Sequence, residues 1–215
     1  MGKIVLATII ISGSAKWLLK VGGNKEKWYG SDRIFMYVMT VFGAMTVNYS
    51  EQCTEYGWVV SNLRLLAGCL LAGGLLSAAY MDRRNCWVYN YVWWWCLPWA
   101  GILGLTAGGG FHGIVAVLVF VMLQQLLFSR MYGKADCHAF SVCALAECGN
   151  AVGMLGFLLQ MFLSVVLLTI VQLFRGNVTP RGRLREPQPF IPYIITAFFS
   201  VTFLESVFRT TYIYA

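Results

Sequence analysis

Long apolar runs, separated by short basic or glycine-rich stretches, cover this chain from one end to the other. They predict helices over Ile4 to Leu19, Ile34 to Asn48, Trp58 to Met81 and Trp87 to Ala107. After Gly108-Gly109-Gly110 the pattern resumes over Phe111 to Ser129. A shorter and more polar segment follows from Asp136 to Cys148, then Val152 to Phe174 and Pro189 to Val207. The pattern therefore reads as an all-α polytopic membrane protein with about eight transmembrane helices. Residues 1–215 form a single membrane-embedded domain, because the longest polar stretches, Lys20 to Arg33 and Arg175 to Gln188, are loop-sized. The first segment, with Lys3 ahead of it and Ser12-Gly13-Ser14-Ala15 inside it, is also compatible with a cleavable signal peptide.

Composition sharpens this picture. Hydrophobic residues make up 59% of the chain and charged residues 12%, against about 25% charged in soluble domains. The net charge of +7 would suit nucleic acid, but the basic residues lie between the apolar runs and not on one face. Basic loops held at the cytoplasmic side explain them better, with anionic lipid as their partner and no nucleic acid. Of the seven cysteines, no two make a Cys-x-x-Cys pair, so neither a zinc ribbon nor a disulfide framework is expected. No metal and no cofactor is expected.

Charge placement also predicts topology. Lys20, Lys25, Lys27 and Arg33 put the first loop inside, and Glu51 and Glu55 put the second outside. Arg83 and Arg84, then Arg130 and Lys134, then Arg175, Arg181, Arg183 and Arg185 each call for the inside again. The short segment after Asp136 must then cross, and both termini lie outside.

Carboxylates are scarce in such a chain, and two stand where an apolar run meets a basic cluster. Asp82 opens Asp82-Arg83-Arg84, and Asp136 follows Arg130 and Lys134. Singly, each has a structural explanation: Asp82 paired with Arg83 or Arg84, and Asp136 capping a helix N-terminus. Together, on one membrane face, they suggest a shared proton and hydrolytic chemistry.

The flanking residues carry a resemblance. Asp82-Arg83-Arg84-Asn85-Cys86-Trp87-Val88-Tyr89-Asn90 and Gly133-Lys134-Ala135-Asp136 resemble the two aspartate motifs of type IV prepilin peptidases. Pro189-Phe190-Ile191-Pro192-Tyr193 is similar to the family's entry to its last span, and Gly13-Ser14 with Leu18-Leu19-Lys20-Val21 loosely to its first. Ala135 stands where the family has glycine, Tyr89 where it has proline, and His138 where lysine is frequent.

The resemblance implies catalytic Asp82 and Asp136 at the cytoplasmic face. Arg83, Asn90, Gly133, Lys134, Ala135, Pro189 and Pro192 would surround them. It implies an aspartyl endopeptidase in a bacterial or archaeal plasma membrane, cutting a short basic leader from a prepilin-like substrate with an apolar helix. Lacking tetracysteine pairs, the chain resembles the short, protease-only branch. Two other readings stay open: a presenilin-like protease, and a catalytically impaired relative acting as a membrane scaffold or transporter.

Overall fold

The computed structural model describes residues 2–23, 30–52, 57–107, 111–130, 133–148, 153–175 and 188–213. Among them every regular element is helical: α1 (Gly2–Val21), α2 (Gly30–Gln52), α3 (Trp58–Asn85), α4 (Asn90–Thr106), α5 (Phe111–Leu126), α6 (Lys134–Glu147), α7 (Gly153–Phe174) and α8 (Ile191–Ile213). A single 3-10 turn, Phe128–Arg130, follows α5.

A helix falls on each apolar run read from the sequence, yet they are not equal as membrane spans. Four segments are long and apolar enough to cross: Gly2–Val21, Trp58–Asn85, Leu155–Phe174 and Ile191–Phe208. At 14 residues, α6 rises only about 21 Å, short of a hydrocarbon core of about 30 Å. Large apolar side chains line the outside of the bundle, among them Ile9, Leu118, Met122 and Phe162. An apolar exterior around an apolar interior is the surface a lipid-facing protein needs.

Helix α3 is the hub, with α1, α2, α4 and α8 packed around it. Small residues make this possible. A Cβ on Gly73 would meet the Ser14 hydroxyl and lie 2.9 Å from the Ile11 carbonyl oxygen. A Cβ on Gly104 would run into the Leu145 carbonyl of α6. Backbones therefore approach closely where side chains have been removed, which is the usual route to tight helix contact in lipid. Of the mid-span tryptophans of α4, Trp93 and Trp95 pack inside the bundle. Trp95 meets Trp17 with ring centroids 5.1 Å apart, and Trp93 is buried.

Contacts at the helix ends show which ends share a side. The Tyr91 hydroxyl at the start of α4 donates to the Leu18 carbonyl near the end of α1 (2.8 Å). Arg83 and Arg84 at the end of α3 pair with Asp32 at the start of α2, at 2.9 and 3.3 Å. The start of α8 meets the end of α3 through the Ile191 amide and Asp82. At the far end, Arg64 near the start of α3 donates to the Leu103 carbonyl and the Thr106 hydroxyl at the end of α4 (3.0 and 2.9 Å). This mid-sequence cation thus serves α4's last carbonyls, where positive charge is favoured. Consecutive helices alternate in direction, and Lys20, Arg83, Arg84 and Lys134 gather at one end. Lys25, Lys27, Arg181, Arg183, Arg185 and the Gly108-Gly109-Gly110 turn lie outside the described residues.

Candidate functional site

Asp82 stands in the last turn of α3, buried at 6% exposure, where the helix delivers it to the start of α8. Its Oδ2 accepts the Ile191 N–H at 2.9 Å, and the Phe190 N–H is a second donor. The sequence around α8 explains why these two amides are available. Pro192 has no N–H, and the Tyr193 and Ile194 amides already reach the Phe190 carbonyl (3.0 and 3.3 Å). Pro189 precedes the pair and is half-buried, and Pro192 is buried. The two prolines thus fix an N-terminal turn whose remaining donors converge on one carboxylate.

Asp136 approaches from the first turn of α6. It is not the cap of that helix, as a reading of Asp136 as an N-cap would require. Gly133 is the cap residue, with φ −63° and ψ 151°, and Asp136 sits three positions on. From there its Oδ2 reaches back to accept the Gly133 N–H at 3.1 Å, half of a capping box. Lys134 is exposed at the first helical position. Ala135, partly buried against the core, is already helical. Alanine suits that position better than glycine does, so the departure from Gly-x-Gly-Asp causes no strain here.

The fold brings Asp136 within reach of the charge on Asp82. Burial pushes Asp136, which lies outside the four long spans, up to about 7. The negative charge of Asp82 adds to the rise and the Gly133 N–H opposes it. Residues 54 apart in sequence therefore lie close enough for one charge to act on the other.

Of the other residues expected here, Arg83 does not neutralise Asp82. It turns to Asp32 (2.9 Å) and lies over the Phe35 ring, while Arg84 pairs with the same Asp32 and lies over Tyr80. Expectation of an Asp82–Arg83 or Asp82–Arg84 ion pair is corrected accordingly. Asp32 is the residue that sequence reasoning missed; its signal was an acid opening a helix beside a basic cluster. Tyr89, with φ −73°, holds a backbone angle that proline also adopts. Asn90 opens α4 and is exposed. Cys86 ends α3 in the left-handed region (φ 51°), and its N–H donates to the Asp82 carbonyl at 2.8 Å.

His138 lies two residues after Asp136 on α6. It faces α5, with Nδ1 3.3 Å from Gln125 Nε2. At the opposite end of α6, Glu147 is buried and accepts the Thr202 hydroxyl at 3.2 Å, far from the aspartate pair. No protein-family model, curated protein or solved structure matches this chain.

Proposed function

We propose that this chain is a membrane aspartyl endopeptidase that removes a short basic leader from prepilin-like precursors. The observation that carries this reading is the meeting of Asp82 and Asp136, from α3 and α6, at the cation-rich end of an apolar bundle. In this reading all eight helices cross the membrane, α6 by local thinning of the bilayer and with Asp136 at its cytoplasmic edge, outside the hydrocarbon core. The aspartate end then faces the cytoplasm, as its Lys and Arg residues prefer.

The two carboxyls divide the work by their surroundings. Asp82 sits on two amide donors at the positive end of α8, so it is the member that holds charge. Asp136 keeps the proton. A water lying between them gives its proton to Asp82 as its oxygen attacks the scissile carbonyl carbon. Asp136 donates its proton to the developing oxyanion, which stabilises the tetrahedral intermediate. On collapse the C–N bond breaks, the proton held on Asp82 passes to the leaving amine, and one hydroxyl proton of the intermediate returns to Asp136 as the C=O re-forms. The leader departs as a carboxylate and the apolar helix keeps a new amino terminus.

Asp82→Asn and Asp136→Asn each remove one role while keeping side-chain size. Co-expressed with a prepilin-like substrate, either variant should slow leader removal about 100-fold or more, read as a mobility shift on a gel. Processing at the wild-type level by either variant would sink the proposal.

A second reading is favoured by one observation: two amide bonds to Asp82 are also what a helix cap makes. Asp82 would then only tether α8, and the chain would be a membrane scaffold or transporter. Purified wild-type protein that cuts no prepilin-like peptide, but moves a solute in liposomes, would decide for it.

A further inference from the structure

Along α6, the helix that carries Asp136, the bundle surface is open on the side of α4 and α5. Helices α4 and α5 follow one another in sequence, yet α4 packs on α3 and α6, α5 packs mainly on α6, and the two hardly touch. The gap between them is a trough of about 460 Å³ floored by α6. Its walls are apolar and aromatic: Trp93 is buried against His138, with centroids 6.0 Å apart, and Trp94 forms an outward rim at 75% exposure. Its floor and mouth are not apolar. Asn90, Gln125, His138 and Ser141 all line it, and Gln125 Nε2 lies 3.3 Å from both His138 Nδ1 and Ser141 Oγ.

Gln125, His138 and Ser141 partner one another in the open trough, and a ligand with backbone donors and acceptors of its own can take over such bonds. A helical ligand cannot, because its backbone groups are satisfied internally. An extended peptide can, since each residue brings an N–H and a C=O that need partners away from water. Position agrees with this. Asn90 opens α4 at the aspartate end, and His138 and Ser141 follow Asp136 on α6. From Asp136 to Ser141 the helix rises about 7.5 Å, the length of two to three extended residues.

We propose that the trough between α4 and α5 binds the first two or three residues after the scissile bond, in extended form. Gln125 is its backbone-binding residue, and the tryptophan walls receive the apolar side chains. This inference rests on the peptidase reading. It requires the start of the substrate's apolar helix to unwind on α6, which also exposes the scissile amide to the aspartates.

The test uses the full chain in detergent and a synthetic probe peptide. The probe has a short Lys/Arg leader ending in Gly, an apolar helix, and a benzophenone on the second residue after the Gly. We expect photoadducts on α5 and α6 between residues 121 and 142. We also expect Gln125→Leu, with wild-type melting temperature, to lower kcat/KM about 10-fold while Gln125→Asn recovers part of the loss. Adducts on α1, α2 or α7, or unchanged kcat/KM in Gln125→Leu, overturn the trough while leader removal by the wild type keeps the peptidase reading. Adducts in the trough without any cleavage support peptide binding there and sink the peptidase reading instead. Neither adduct nor cleavage overturns both.

Discussion

Asp136 is the residue on which pH acts most directly. Its carboxyl, raised to about 7 by burial and by Asp82, favours the fold when protonated. A group with a raised folded pKa contributes stability that is complete below its unfolded value of about 3.9 and lost as pH rises through the folded value. The wild type should therefore lose thermal stability between about pH 4 and pH 8, and Asp136→Asn should flatten that slope. Melting curves across this range check the sign, and a variant as pH-dependent as the wild type would contradict it. Both aspartates were legible in the sequence because carboxylates beside apolar runs are conspicuous. Asp32 was not, since a lone acid near four cations gives no hint of which cation it holds. Ala135 is already helical, and the sequence could not show that the turn ends two residues earlier, at Gly133.

At the scale of elements, packing depends on where side chains are missing. Gly73 lets α1 lie against α3, and the nearest fixed obstacle to a Cβ there is the backbone of Ile11. Gly73→Ala must push that backbone away, and about 1–3 kcal/mol of stability should go with it. A drop in melting temperature, with the aspartates untouched, would bear this out; an unchanged value would mean that α1 shifts freely. Helix positions were legible because apolar length and charge breaks report them directly. The sequence left hidden that α8 begins with two amides aimed at Asp82. A proline pattern marks a helix entrance but not the partner that entrance faces. Gln125 was visible only as a polar interruption of an apolar run. Its contact with His138 and Ser141 on the next helix gives it a context.

For the whole molecule, the alternating helix directions collect Lys20, Arg83, Arg84 and Lys134 at the end that holds both aspartates. If that end is cytoplasmic, reporter fusions after residues 22, 86 and 132 should all report the inside. A fusion after residue 107 should report the outside. A mixed result among the first three would break the eight-crossing scheme. The sequence by itself determined the class of molecule, the places of its helices and its two conspicuous carboxylates. Apolar length, charge spacing and rarity are properties of the chain read in order. Only the tertiary structure decided that the charge of Asp82 reaches Asp136, that Arg83 and Arg84 serve Asp32, and that a trough with polar residues opens between α4 and α5. Those are relations between side chains on different helices, set by how closely glycine and alanine faces let the backbones approach, and a linear pattern does not record that distance.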